Sequence, residues 1–146
     1  MNPRALYLAQ TDTTAGFLSA DPEKIARAKG RSAARPLLIC VDTLHKQKAL
    51  VRTPQRFRKR VRRARKSTFI YPNTEAIRVV RDGRHSRFLE RFAYLYSSSA
   101  NKTGEEFDYT YAARRAEIIL FEPCGFYQNP PSSIYRIGRR RIKRVR

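Results

Sequence analysis

The sequence predicts one α/β (α+β) domain over residues 1–146, built as a twisted mixed sheet with flanking helices. Three observations predict it. A chain of 146 residues fits one domain and buries roughly 70% of the surface it exposes when unfolded, enough for a core. Its hydrophobic content of 41% is ordinary for a globular protein. Short apolar runs of strand length alternate with helix-type patterns, without internal repeats or long low-complexity linkers.

The elements follow in order. "ALYLAQ" (5–10) is an apolar run followed by polar turn formers, and reads as a strand. "DPEKIARAKG" reads as a helix: Asp21 caps, Pro22 fits the first position, Glu23 suits the positive end and Gly30 stops it. "RPLLICV" (35–41) is a continuous apolar run, the pattern of a strand covered on both faces. Asp42 then caps a short helix through Leu50. Thr53-Pro54 opens the helix "QRFRKRVRRARK", with Phe57, Val61 and Ala64 at core-facing spacing. "TFIYP" (68–72) and "AIRVV" (76–80) read as strands. "SRFLERFAYLY" begins as a helix and runs into a strand ending at Tyr96. "DYTYAARRA" (108–116) reads as a helix, "EIILF" (117–121) as a strand, and 125–131 as a loop. "SSIYRIG" and "RRIKRV" form a hairpin around Gly138.

Charge narrows the partners. Thirty-two Lys and Arg against twelve Asp and Glu give +20, and Arg outnumbers Lys about threefold. Such a field recruits polyanions: nucleic acid, nucleotides or an acidic membrane surface. No apolar stretch approaches the ~18 residues of a membrane span, and the N-terminal patch is too short for a secretory signal. The expected location is the cytoplasm, without a membrane partner. Cys40 and Cys124 are too few and too far apart for a zinc site and are expected as reduced thiols. His45 and His85 lack metal-ligand spacing and read as surface residues, and no metal site is expected.

Three polar clusters stand at strand ends, where ligands of open α/β sheets bind. The first is "TDTTAG" (11–16); its hydroxyls donate and accept, and Asp12 could hold an ammonium, although these residues taken alone read first as a plain Asx or Thr turn. The second is "KGRSAARPLL" (29–38), where Lys29, Arg31 and Arg35 offer phosphate-binding cations. Cations at a helix C-terminus are also ordinary dipole partners. The third is "SSSANKTGEE" (97–106). Ser97, Ser99, Asn101 and Thr103 could form a nest for an oxyanion, or a solvated loop. It holds no Walker lysine, so a nucleotide site here differs from a P-loop.

These clusters resemble a known family. Its members carry a "TDTVYGLG"-like segment, then "K-x-R…K-P-L", "VT", "VR", "STSAN-x-SG" and "PST". This chain has Thr11-Asp12-Thr13-Thr14-Ala15-Gly16, then Lys29, Arg31 and Arg35-Pro36-Leu37. It continues with Ser67-Thr68, Ile77-Arg78, Ser97-Ser98-Ser99-Ala100-Asn101-Lys102-Thr103-Gly104 and Pro131-Ser132-Ser133. In this order and spacing the chain resembles the YrdC/YciO family of threonylcarbamoyl-adenylate synthases, as a short and divergent member. It departs from the pattern at Ala15, at Leu18, at Ala64-Arg65-Lys66 and at Pro123-Cys124-Gly125. The elements that usually precede the first motif are expected to be missing, and no second domain is expected to follow.

The resemblance implies a YrdC-like domain and a reaction. Threonine, bicarbonate and ATP give L-threonylcarbamoyladenylate and pyrophosphate, for t6A37 modification of tRNA. ATP would arrive with Mg²⁺, and a downstream threonylcarbamoyl transferase would be a partner. Carried over by matching motif, Lys29, Arg31 and Arg35 neutralise the phosphates and the carboxylate, Lys29 and Arg31 as the catalytic pair. Thr11 and Thr13 seat threonine, and Thr68 and Arg78 line the site. Ser97, Ser99 and Asn101 hold the nucleotide and the carbamoyl group, and Ser132 closes it. Such chemistry asks for positioning and charge neutralisation more than for a strong base.

A rival signal lies elsewhere. Arg56, Arg58, Lys59, Arg60, Arg62, Arg63, Arg65 and Lys66 form a dense basic band, and the tail adds Arg139, Arg140, Arg141, Lys143, Arg144 and Arg146. A small-molecule condensation needs neither, whereas binding to RNA phosphates would use both. The resemblance also implies contact with double-stranded RNA or tRNA. The alternatives are a catalytically silent RNA-binding protein of the same fold, a ribosome-associated factor, or a solvated cationic face that keeps the protein soluble. No helix-turn-helix, zinc-finger or RNP signature suggests sequence-specific reading.

Overall fold

The computed structural model describes residues 1–32, 34–81 and 83–146. The strands are β1 (Tyr7–Gln10), β2 (Ala15–Ser19), β3 (Leu38–Val41), β4 (Ser67–Ile70), β5 (Ala76–Val79), β6 (Leu95–Ser99), β7 (Ile118–Ile119), β8 (Ser133–Ile137) and β9 (Ile142–Arg144). The α-helices are α1 (Pro22–Lys29), α2 (Leu44–Leu50), α3 (Arg58–Arg63), α4 (Gly83–Leu89) and α5 (Tyr109–Arg115). The described residues form one mixed sheet of nine strands in the order β7-β1-β2-β6-β3-β5-β4-β8-β9. Pairs β1/β7, β3/β5 and β4/β8 are parallel, and the others antiparallel.

Local chemistry explains the helix ends. Asp21 accepts from the Glu23 amide at 3.0 Å, Pro22 fills the first position, and Gly30 ends α1 at φ 61°, a left-handed angle that suits glycine. Asp108 caps α5 through the amides of Thr110 and Tyr111.

The structure corrects several expectations. The cap of α2 is Thr43, whose hydroxyl accepts from the Lys46 amide at 3.2 Å, not Asp42. Asp42 pairs instead with the Lys46 ammonium at 2.6 Å. The basic helix is shorter than its pattern. A 3₁₀ turn covers Gln55–Phe57, and α3 ends at Arg63 as Ala64 turns extended. Residues 15–19, given no element from sequence, are β2, which pairs with β1 and β6. The strand expected to stop at Tyr96 runs on to Ser99, because Ser97, Ser98 and Ser99 pair with β2.

Strand alternation sorts the core into layers. On one face, Leu8, Ala15 and Phe17 pack against Ile25 and Ala28 of α1 and Ala112 of α5. Further along that face, Ile39, Val41, Phe69, Ile77 and Ile137 pack with Val51 and with Val61 of α3. Each large side chain buried there contributes about 1.5–3 kcal/mol. The other face is divided. Its β1–β2 end, with Tyr7, Ala9 and Leu18, is covered by Phe88 and Leu89 of α4 and by Phe92. Tyr7 meets Phe88 at 5.1 Å and Phe92 at 5.9 Å between ring centroids. Beyond that plug, the same face bears Gly16, Ser97, Ser99, Thr68 and Arg78. No apolar helix can cover such a surface, and it stays open as a cavity.

Candidate functional site

The cavity encloses about 520 Å³, and Arg31, Arg78 and Arg146 all line it. At one end, Arg31 follows the left-handed turn after α1 and faces the end of β6, where Ser97, Ser99 and Asn101 also line the wall. Among the described residues no carboxylate pairs with the Arg31 guanidinium. Burial, and then the charge of nearby Arg35, lower its pKa. Arg35 itself is exposed and does not line the cavity.

Lys29 stands behind this wall and does not line it. Its ammonium donates to the Ser99 carbonyl at 2.7 Å, to the Asn101 carbonyl, and to Asn101 Oδ1 at 3.1 Å. It is 4% exposed. Burial, and then the charge of Arg31, push its pKa down to about 8. Lys29 thus fixes the edge that carries Ser99 and Asn101.

At the other end, Arg78 of β5 sits at the centre of a buried polar group. It donates to Asp12 Oδ1 at 2.8 Å, to Thr68 Oγ1 at 3.2 Å through both Nε and an Nη, and to the Ser132 hydroxyl. Burial alone would raise the pKa of Asp12. The neighbouring His85 ring and the Arg78 guanidinium outweigh it and hold the carboxyl below its ordinary value. Thr11 and Thr13 lie beside this group at the β1–β2 turn. The Thr11 hydroxyl is occupied within the turn, donating to the Thr14 carbonyl at 2.6 Å and accepting the Thr14 amide at 3.2 Å. Residues 127–129 close that side. Gln10 grips Tyr127 through two hydrogen bonds of 3.1 and 3.0 Å, and the Asn129 amide donates to the Thr13 carbonyl at 2.6 Å.

Solved structures share this arrangement of strands. P. abyssi Sua5 complexed with L-threonine superposes with a TM-score of 0.76 at 17% identity, over 97% of this chain and 50% of that chain. E. coli YciO gives 0.75 at 14%, over 98% and 82%. The fold is that of Sua5 and YciO. Full-length HypF in its phosphate- and nucleotide-bound form gives 0.69 at 12%, over 97% of this chain and 26% of that chain. No family model and no curated protein matches the sequence. The chain spans about half the length of the Sua5 structures it matches.

Within this YrdC-like fold, nine residues singled out from the sequence share one cavity: Thr11, Thr13, Arg31, Thr68, Arg78, Ser97, Ser99, Asn101 and Ser132. Two residues with chemistry were missed. Arg146, assigned to the basic tail, lines the cavity and donates to the Ser132 carbonyl at 3.3 and 3.2 Å. His85, expected at the surface, is 4% exposed and lines the cavity; His45 is exposed. The apolar spacing of Phe88, Leu89 and Phe92 is the sequence signal that α4 packs down, which buries the His85 side of the helix.

The basic band forms a separate surface. Arg56, Arg58, Lys59, Arg60, Arg62, Arg63, Arg65 and Lys66 are all exposed. Val61 anchors α3 to the sheet face opposite the cavity, and Arg60 lies over the Tyr135 ring at 4.8 Å. Arg56 reaches the Arg140 carbonyl at 3.1 Å, which joins the band to the β8–β9 hairpin. Among the described residues no helix is long and apolar enough to cross a membrane, and no cluster of three His, Cys, Asp or Glu could hold a metal ion.

Proposed function

We propose that this cavity condenses L-threonine, bicarbonate and ATP into L-threonylcarbamoyladenylate and pyrophosphate, for t6A37 modification of tRNA in the cytoplasm. The observation that carries the reading is the set of three arginines lining one hollow. Arg31 with Ser97, Ser99 and Asn101 suits a polyphosphate. Arg78 and Arg146, which converge on Ser132, suit a carboxylate. The carbamate of an amino acid brings the carboxylate, and the ATP it attacks brings the polyphosphate. The volume lies in the ordinary range for small-molecule sites, roughly 300–1,000 Å³. The fold shared with Sua5, one structure of which holds L-threonine, supports the same reading.

The same reading gives each residue a role. Arg31 neutralises the phosphates as the carbamate attacks the α-phosphate and pyrophosphate leaves. Lys29 holds Ser99 and Asn101 in place and adds its charge from behind. Arg35 meets the polyphosphate at the mouth. Thr68 and Ser132 orient Arg78 toward the threonine carboxylate, and Thr11 and Thr13 shape the adjoining wall. Among the described residues the cavity wall carries no Asp or Glu, so Mg²⁺ would travel on the phosphate oxygens and water. Positioned charges of this kind are worth about 10²–10³-fold in rate each. The product is a labile mixed anhydride, so a threonylcarbamoyl transferase would consume it.

The test is pyrophosphate release by purified protein with Mg²⁺, omitting threonine or bicarbonate in turn. Release should need both, and Arg31→Ala should lower it at least about 100-fold. No release above background would end this reading.

A second reading rests on the exposed band of α3. A catalytically silent protein of the same fold would bind RNA or tRNA through that band and would use the cavity for phosphates only. It predicts tight RNA binding with a steep salt dependence and no pyrophosphate release.

A further inference from the structure

Buried polar atoms in folded proteins nearly always have partners, and the exceptions point to something that arrives later. His85 is such an exception. It is 4% exposed, it lines the cavity, and among the described residues neither ring nitrogen has a hydrogen-bond partner. Its Nδ1 lies 3.7 Å from Asp12 Oδ1, too long for a hydrogen bond but close enough for an ion pair once the ring is protonated.

We propose that His85, with Asp12 beside it, takes the proton from the ammonium group of the amino-acid substrate. This rests on the reading of the cavity given above. The other titratable groups nearby are poor acceptors for that proton. Arg78 offers donors only. The ammonium of Lys29 faces Ser99 and Asn101. The Cys40 thiol, pushed up to about 12 by burial, stays protonated.

The chemistry needs such a group. Threonine arrives as an ammonium, and its nitrogen has no lone pair until a proton leaves. His85 accepts that proton, and the amine attacks the carbon of bicarbonate. The C–N bond forms, and one bicarbonate oxygen leaves as water with its own hydrogen and the second nitrogen proton. Ammonium, bicarbonate and neutral imidazole become carbamate, water and imidazolium, and charge balances on both sides. The imidazolium then pairs with the Asp12 carboxylate. Among the described residues, the titratable groups on the elements around α4 are Asp12 in the β1–β2 turn, Arg78 on β5, Cys40 on β3, Tyr7 on β1, and Lys46, which donates to the Leu89 and Glu90 carbonyls and holds Asp42 at 2.6 Å. On α4 itself lie Arg87 and Arg84, the latter paired with Glu122.

The chain has two histidines, so a His45→Gln background leaves one imidazole signal to follow by nitrogen NMR. L-threonine should move the ring nitrogens of His85. The des-amino analogue 3-hydroxybutanoate, which keeps the carboxylate, should move the Ser132 amide but leave the ring unshifted. In turnover, His85→Gln should lower kcat at least about 100-fold with KM for ATP within threefold. If threonine moves the Ser132 amide and the His85 nitrogens stay still, the proposal is wrong. It is equally wrong if His85→Gln turns over at the wild-type rate. A ring shift with threonine in a protein that releases no pyrophosphate keeps the amine contact and removes only the adenylate-forming reading.

Discussion

The ammonium of Lys29, on the last turn of α1, donates to the carbonyl of Ser99 at 2.7 Å, seventy residues further along the chain. The same ammonium reaches Asn101. One buried cation therefore joins the end of α1 to the end of β6 and sets the spacing of two wall residues. In the sequence Lys29 looks like a phosphate ligand. In the fold it holds Ser99 and Asn101, which line the cavity.

Lys29→Met keeps the apolar stem and deletes the bonds. It leaves the Ser99 and Asn101 carbonyls short of a donor, which costs about 1–3 kcal/mol for such buried acceptors. At this chain length the midpoint of thermal unfolding should fall by roughly 2–4 °C per kcal/mol. Because Ser99 and Asn101 lose their support, nucleotide affinity should fall too. Calorimetric unfolding and ATP titration on one sample would check both. An unchanged unfolding midpoint would refute the clamp.

Asp12 and Arg78 make the opposite kind of pair, one whose rupture leaves a buried guanidinium alone. Asp12→Asn should cost about 3 kcal/mol or more at neutral pH. The sign of its pH dependence follows from the lowered carboxyl pKa. The folded value lies below the ordinary 3.8, so the ionised form stabilises the fold. That contribution is complete above the ordinary value and fades as pH falls through the folded one. The gap in urea midpoint between wild type and Asp12→Asn should therefore stay wide from about pH 7 down to the ordinary value of 3.8 and narrow as pH falls further, through the folded value. A gap that narrows already above about pH 5, or that persists undiminished to the acid limit of folding, would exclude the pair as its source.

Much of the fold was legible because local rules and tertiary packing agree. The cap, proline and glycine of 21–30 give α1, and continuous apolar runs give β3, β4 and β5. The missed end of β6 has a plain physical cause. Serines have weak strand propensity, so Ser97–Ser99 read as a loop, yet pairing with β2 and β3 draws them into the sheet. The site was legible through motif order, which brought together residues that composition alone leaves scattered. Arg146 and His85 carry no motif. Only the hairpin that returns Arg146 to Ser132, and the helix that turns His85 inward, reveal them.

Gly16 lies on the cavity floor opposite Ser99. A Cβ there would sit 2.8 Å from Thr11 Cγ2 and 3.3 Å from the Ser98 carbonyl. Neither neighbour moves easily, because the Thr11 hydroxyl is fixed in the turn and the carbonyl belongs to β6. Gly16→Ala should destabilise by about 1–3 kcal/mol and weaken ligand binding by displacing the β1–β2 turn. Urea denaturation with a parallel threonine titration would show it. Wild-type behaviour in both would mean that the turn has slack that the geometry does not suggest.

The surface of α3 makes the last prediction, and it separates polyanion binding from mere solubility. Lys59, Arg62 and Arg63 are exposed on the sheet face opposite the cavity. If they meet RNA phosphates, each releases counterions on binding, and log K falls with log salt by about 0.7–0.9 per contact. Replacing all three with Gln should reduce that slope by about 2–3, with weaker binding to duplexes of any sequence. The measurement is RNA affinity between 50 and 300 mM salt. A cationic face that serves solubility alone would leave the slope of the triple variant equal to that of the wild type. Equal slopes would move the RNA contact away from α3 and toward the β8–β9 hairpin, where Arg139, Arg140 and Arg141 are also exposed.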